Sequence, residues 1–299
     1  MQLVVIGAPD AWHVGRLVAA ATGRGHRVAV VEWHRLGARI APPGPAGGGG
    51  RRPESFLPGE IERADAVVVR GMPGGRLEEV ILRMDLLGRI EARGTPVVNA
   101  PRALEAAIDK YLSLARLAAA GIPVPRTIVA QDPEAIRAAW EALGRDAVVK
   151  PLFGSCGRGI ERVADRDALD ALVAAVAAEG TATYLQEMIP HPGWDMRVLL
   201  AGDASFAMRR HNATDWRTNL ARGATATAAD PPPGWSDLAR RAAAILGVEV
   251  AGVDLLPGPD GEPTVLEVNA VPGWRGLEGV TGADVTGAVV DWVERRVGG

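Results

Sequence analysis

Residues 252–270 decide the reading of this chain: Gly252-Val253-Asp254-Leu255-Leu256-Pro257-Gly258-Pro259-Asp260-Gly261-Glu262-Pro263-Thr264-Val265-Leu266-Glu267-Val268-Asn269-Ala270. Two apolar strands flank a turn, and each carries a carboxylate where an apolar residue is expected. Asp260-Gly261 is a hairpin signal. A hairpin folded about that dipeptide sets Asp254 opposite Glu267, and opposed residues of an antiparallel pair share a face. Asn269, two residues on, falls on the face of Glu267. Facing like charges destabilise a sheet, and a hard cation bound by oxygen ligands removes the conflict. The same acids would also suit a solvated sheet face. Pro257, Pro259 and Pro263 point to a turn looser than two residues.

Working outward, 299 residues allow two or three domains. Hydrophobic residues make up 47% and charged residues 23%, the composition of a globular protein. A net charge of −3 supplies no general drive toward nucleic acid or an anionic membrane, so neither partner is expected. The single cysteine, Cys156, excludes an internal disulfide and fits a reducing compartment. Met1 to Gly7 lacks the basic and long apolar parts of a signal peptide, and no apolar run reaches the length of a membrane span. A cytoplasmic protein is expected.

In the first hundred residues, apolar strands at 3–6, 27–32, 66–69 and 96–99 alternate with helical stretches, the pattern of an open parallel α/β domain. Residues 41–59, rich in Gly and Pro, read as a loop or flexible insert. From Pro101 a single helix is expected to run to a stop at Gly121, Pro123 and Pro125. Strands follow at 127–130, 147–151, 160–163 and 183–187, with helices at 133–143 and 167–178. Beyond these come strands near 196–201 and 204–209, an irregular basic stretch at 210–228, a helix near 236–246, the acidic hairpin, and a helix near 283–296. The expected division is 1–100, 101–185 and 186–299 within an α/β (α+β) architecture.

Lys150 ends an apolar strand directly before Pro151-Leu152-Phe153-Gly154-Ser155-Cys156-Gly157-Arg158-Gly159. Such a loop can present backbone N–H groups to an anion, and Lys150 adds a compact positive charge for phosphate oxygens. It is neither a P-loop nor a dinucleotide fingerprint, and Gly7-Ala8-Pro9-Asp10 after the first strand does not match the latter. Lys110 is a second candidate cation. Gln186-Glu187-Met188-Ile189 could end a strand at a nucleotide base. Arg197, Arg209, Arg210, Arg217 and Arg222 cluster in an otherwise slightly acidic chain, and guanidinium forks bind carboxylate and phosphate bidentately. Cations near phosphates, beside a carboxylate-held metal, equip a protein for phosphoryl transfer. No CxxC, HExxH or GxSxG occurs, and the five histidines form no ligand pattern.

These pieces occur in the order of a known family. The chain resembles the ATP-grasp ligases, specifically the RimK-like α-L-glutamate ligases, in DKYLSLARLAAAGIPVP (109–125), VVKPLFGSCGRGI (148–160), LQEMI (185–189), DMRVLL (195–200), RRHNATDWRTNLARG (209–223), AGVDLL (251–256) and LEVNAVPGWRGLEGVTG (266–282). The resemblance implies an ATP-grasp fold preceded by an α/β domain. It implies that Lys110 and Lys150 bind ATP phosphates and that the loop from Gly154 through Ser155 and Gly157 to Gly159 closes over them. Glu187 and Met188 would hold adenosine, and Asp195 and Arg197 the ribose or the edge of the site. Arg217 and Asn219 would lie near the γ-phosphate and acyl group, with Arg209 or Arg210 at the acyl phosphate or acceptor. Asp254, Glu267 and Asn269 would hold Mg²⁺, or Mn²⁺ in its place. The implied reaction joins a carboxylate to an amine, L-glutamate for this family, through an acyl phosphate. The Phe-Gly-Ser-x-Gly-Arg-Gly loop looks most like the subgroup acting on tetrahydromethanopterin-type cofactors, with small molecules and protein C-termini as other acids. The family also implies a homo-oligomer, a dimer or tetramer. Two other readings compete: a nucleotide-binding module without turnover, and a dinucleotide oxidoreductase, which the absent glycine fingerprint disfavours.

Overall fold

The computed structural model describes residues 1–42, 54–152 and 159–298. The strands Arg27–Val31, Gln2–Ile6, Ala66–Val69 and Val97–Val98 lie side by side in that order, all parallel. Such a sheet is covered on both faces, and its strands are continuously apolar for that reason. Leu3 and Val5 enter one hydrophobic cluster, Val4 and Ile6 another. The helices Trp12–Gly23 and Leu77–Ala92 supply parts of the two covers.

Two expectations for this half are corrected. Part of the supposed loop at 41–59 is ordered secondary structure: Glu54–Leu57 pairs antiparallel with Gly37–Ile40, and Gly59–Glu62 is a short helix. Phe56 and Ile61 anchor it, at 3% and 2% exposure, which the Gly and Pro count had obscured. Residues 43–53 of that segment lie outside the described residues. The single helix expected from Pro101 is two, Pro101–Ile108 and Lys110–Ala119. Asp109 turns extended between them and its carboxylate accepts the Leu112 N–H at 3.0 Å, an N-cap that starts a new helix. The break makes Lys110 the first residue of the second helix.

The central sheet runs Thr127–Ala130, Thr183–Glu187, Ala147–Lys150, Glu161–Val163, antiparallel throughout. Ala147, Val163 and Leu185 pack with Ile136, Trp140, Leu169 and Val173 from the helices Pro133–Ala142 and Arg166–Glu179. Asp132 and Asp165 cap those helices. Side chains alternate across a strand, so Lys150 and its register partner Tyr184, with Gln186, fall on the opposite face.

The third sheet has five antiparallel strands in the order Thr225–Ala228, Ala204–His211, Trp194–Ala201, Val250–Pro257, Pro263–Asn269. The first of these falls inside the stretch read as irregular. Met196, Val198, Leu200, Val253 and Leu255 face the core that includes helix Trp235–Leu246. Leu199, Ala201 and Val250 face the core shared by the helices Arg275–Thr281 and Val285–Gly298. The former of these two helices was missed, because its seven residues are too few to show a period. Asn99 joins the first sheet to the third. It is 1% exposed, donates to Val250 O at 2.8 Å and Ala270 O at 2.6 Å, and accepts from the N–H groups of Glu249 and Val250 at 2.8 Å each.

Candidate active site

The acidic hairpin folds with Asp254 in register with Glu267, as its turn dipeptide indicates. The turn spans 258–262 and is looser than two residues: Gly258 N–H donates to Glu262 O at 2.8 Å, and Gly261 takes φ +84°, which glycine adopts freely. A register shift follows Asp254, so Leu255 pairs with Val265 and Leu266 is the extra residue of a bulge. Asn269 pairs with Gly252, two residues from Asp254, and so joins the same face. A Cβ on Gly252 would sit 2.9 Å from Pro272 Cβ, so the chain after Asn269 can approach only a glycine there.

On its other side Asp254 pairs with Arg197, and one strand further Asp195 pairs with Arg210. Alternation sets all four on the Glu267 face. Arg197 grips Asp254 bidentately, Nε to Oδ1 and Nη2 to Oδ2, both at 2.7 Å. Arg210 Nη2 reaches Asp254 Oδ2 at 2.9 Å while its fork holds Asp195, Nε to Oδ1 at 2.7 Å and Nη2 to Oδ2. Thr218 Oγ1 donates to Asp195 Oδ2 at 2.7 Å. Burial alone would push the Asp254 carboxyl up, but Arg197 and then Arg210 overcome it and hold the group down at about 2. Burial is the larger influence on Asp195 and pushes it up against Arg210 and Thr218. Buried charges persist when paired and hydrogen-bonded, and this row of two acids and two guanidiniums meets that condition.

The central sheet faces this row. Lys150 Nζ donates to Gln186 Oε1 at 2.5 Å. Burial pushes Lys150 down to about 8; Glu267 opposes that shift and Lys110 adds to it. Lys110 is lowered too, by burial first, with Glu267 and Asp109 opposing. The two lysines and Glu267 are thus near enough to sense one another. Gln186 Nε2 reaches Thr127 Oγ1 at 3.1 Å and Tyr184 Oη at 3.3 Å, which turns its oxygen toward Lys150. Sequence reasoning gave Gln186 no role of its own. Its signal was a polar residue alternating with Tyr184 on an otherwise buried strand.

One pocket between the two sheets is lined by Lys150, Glu187, Met188, Asp195, Arg210, Arg217, Asn219, Asp254 and Glu267. The Glu187 carboxylate is engaged outside it by Arg126, Nε to Oε2 at 2.6 Å. Met188 N–H donates to Asp146 O at 3.2 Å. Arg217 is braced by Asp215, Nη2 to Oδ2 at 2.6 Å, and donates from Nη1 to Ile160 O at 3.0 Å, beside the exit of the glycine loop. Arg209 is not brought in: it is exposed on the other face of its strand, its Cζ 4.2 Å from the centroid of Trp194. Gly154, Ser155 and Gly157 lie outside the described residues. Gly159 is described, with φ +68°.

Asp254, Glu267 and Asn269 offer carboxylate and amide oxygens on one face, the donors that suit Mg²⁺ or another hard cation. Asn269 Oδ1 also accepts the Val271 N–H at 2.8 Å, which orients it. Facing them are cations fit for phosphate oxygens. The arrangement can hold a polyphosphate between Lys110, Lys150 and Arg217 with its metal on the hairpin.

The RimK-like ATP-grasp domain matches residues 107–293. The chain is 35% identical over 287 residues to a probable α-L-glutamate ligase of Xanthomonas oryzae pv. oryzae, covering 94% of this chain and 93% of that one. It is 29% identical to the tetrahydromethanopterin:α-L-glutamate ligase of Methanosarcina acetivorans, over 97% and 98% of the two chains. Among solved structures it is similar to the ATP-grasp ligase PsnB complexed with a phosphomimetic variant of its minimal precursor, Mg and ADP, with a TM-score of 0.77, 28% identity, and coverage of 99% and 98%. No helix among the described residues is long and apolar enough to cross a membrane. The chain belongs to the RimK-like ATP-grasp family, and it is an ATP-grasp ligase of the ADP-forming kind.

Proposed function

We propose that this ligase joins the amino group of an amino acid, L-glutamate, to a carboxylate of a cofactor of the tetrahydromethanopterin kind, another small molecule or a protein C-terminus. One observation carries the reading: Lys150 and Arg217 line the same pocket as the paired acids Asp254 and Glu267. Cations on one wall and hard oxygen donors on the other suit ATP and its metal. The named glutamate ligases among its relatives support the choice of amine.

In this reading Lys110, Lys150 and the loop Gly154 to Gly159 bind the phosphates, and Glu187 and Met188 lie at the adenosine. Asp254, Glu267 and Asn269 hold Mg²⁺, or Mn²⁺, which would neutralise phosphate charge. The substrate carboxylate attacks the γ-phosphorus of ATP, ADP leaves, and an acyl phosphate forms. The amine nitrogen then adds to the acyl carbon, inorganic phosphate leaves, and the nitrogen gives up its proton as the amide forms. Arg217 and Asn219 sit where charge develops on the transferring group. Arg210 lines that pocket whereas Arg209 does not, which favours Arg210 at the acyl phosphate. Asp195 and Arg197 act on the site through Arg210 and Asp254, whose charges they balance.

The division into 1–100, 101–185 and 186–299 follows the three larger sheets, with the strand Thr183–Glu187 of the central sheet running past residue 185. A homo-oligomer is supported by the exposed Leu77, Ile81 and Leu82 on one helix. A cytoplasmic site of action rests on the lone cysteine.

The test is phosphate release from ATP across a matrix of carboxylic acids and amino acids. Release that requires both an acid and L-glutamate is the expected result. Binding of ADP·Mg²⁺ with no release across the whole matrix would favour a nucleotide-binding module instead.

A further inference from the structure

Arg70 follows directly on the strand Ala66–Val69. Its Nη2 donates to Pro272 O at 2.8 Å, its Cζ lies 4.2 Å from the centroid of the Trp274 ring, and its Nε is buried with no hydrogen-bond partner. Among the described residues no carboxylate forms an ion pair with it. Burial pushes the guanidinium down to about 9. A largely buried cation without a counterion is costly, and elsewhere Arg197 and Arg210 are paired to acids. An anion supplied from outside would make good the missing charge.

The position of Arg70 agrees with that. The chain leaves Gln2–Ile6 for Arg27–Val31 on one side and later returns to Ala66–Val69 on the other. The reversal point of an open α/β sheet, at the carboxyl ends of its strands, is where such folds bind ligands. Gly7 and Arg70 flank it, and a Cβ on Gly7 would sit 3.4 Å from Arg70 Cβ. Helix Trp12–Gly23 starts at the same place with no side-chain cap and no acid in its first turn. His13 adds no charge: burial first, then Arg70 and Arg275, push it down to about 4, and its Nε2 accepts the Trp274 N–H at 2.9 Å. The third side is the segment that follows Asn269. Pro272, whose carbonyl takes the Arg70 hydrogen bond, packs against Gly252, two residues from Asp254: a Cβ built on Gly252 would lie 2.9 Å from Pro272 Cβ.

We infer that Arg70 is the subsite for a carboxylate that does not react, the α-carboxylate of the amino acid that supplies the amine. The inference rests on the ligase reading. A carboxylate that becomes an acyl phosphate loses its charge during the reaction, whereas one that only anchors its substrate keeps it throughout. A largely buried guanidinium with no acid paired to it among the described residues suits the second kind, and its planar fork suits carboxylate geometry.

The test is calorimetric titration of the ADP·Mg²⁺-loaded protein with L-glutamate and with its α-amide, for wild type, Arg70→Met and Arg70→Lys. Wild type is expected to prefer L-glutamate to the amide by about tenfold or more, the value of a charged hydrogen-bonded pair. Arg70→Met should bind both weakly and alike, Arg70→Lys should fall between, and ADP·Mg²⁺ affinity should stay within about twofold. A strut role predicts the reverse, a lower Tm and weaker ADP binding with the preference for glutamate kept, and that result overturns the inference. So does wild type that binds ADP·Mg²⁺ but no amino acid, an outcome that leaves the ligase reading standing. In steady state a raised KM for the acid rather than the amine overturns the assignment to the amine. Failure of wild type to bind ADP·Mg²⁺ removes the ligase reading and this subsite with it.

Discussion

Replacing Lys150 with methionine should separate what the site costs the fold from what it does. Burial lowers the ammonium from 10.5 to about 8 in the folded protein. A lowered lysine pKa means that the folded state disfavours the charge. The penalty is complete below pH 8, shrinks as pH rises, and is gone above 10.5. The lowered ammonium corresponds to a penalty of about 3 kcal/mol carried by the wild type at pH 7. Methionine removes that burden but leaves Gln186 Oε1 without its donor, at a cost of about 1–3 kcal/mol. The net change at pH 7 is therefore small, about 0–2 kcal/mol in favour of the variant. Its pH dependence is not small. By pH 9.5 the remaining penalty is about 1 kcal/mol, so wild type should gain about 2 kcal/mol on the variant between pH 7 and 9.5. Urea denaturation of both proteins at the two pH values reads this directly, because other titrating groups cancel in the difference. ATP affinity should fall in the variant and lose its alkaline dependence. Two stability curves that stay parallel from pH 7 to 9.5 would refute the claim that a buried, charged Lys150 awaits phosphate.

Three further outcomes follow from other contacts. Asn99→Ala should cost about 2–4 kcal/mol in urea denaturation, since it strands four backbone partners, three of them buried, at the joint of two sheets, and a loss below about 1 kcal/mol would contradict that role. Asp254→Asn and Glu267→Gln should each lower Mg²⁺-dependent ADP formation by about 100-fold, chelation should abolish it, and added Mg²⁺ or Mn²⁺ should restore it; wild-type rates in both variants would remove the hairpin from metal binding. Arg210→Ala should cost activity at least about tenfold more than Arg209→Ala, because only Arg210 lies among the acids, and equal losses would show that the face assignment fails.

Much of this was legible because it was local. The pairing of Asp254 with Glu267 followed from a turn dipeptide a few residues from each, and alternation then assigned the face of Asn269. The Asp109 cap was legible in principle. The regular apolar spacing of Leu104, Ile108 and Leu112 outweighed it, since a period carries across a short break without changing phase. The helix Arg275–Thr281 was too short to declare itself.

The sequence by itself determined most of the order of strands and helices, the register of Asp254 with Glu267, and the inventory of cations and acids, because each depends on neighbours a few residues apart. Only the tertiary structure decided which charges meet. Arg197 and Asp254 are 57 residues apart, Asn99 and Val250 are 151, and Arg70 and Pro272 are 202. A charge is stabilised or stranded by what is packed against it. That is why Asp254 is doubly held, Lys150 is forced toward neutrality, and Arg70 pairs with no acid among the described residues.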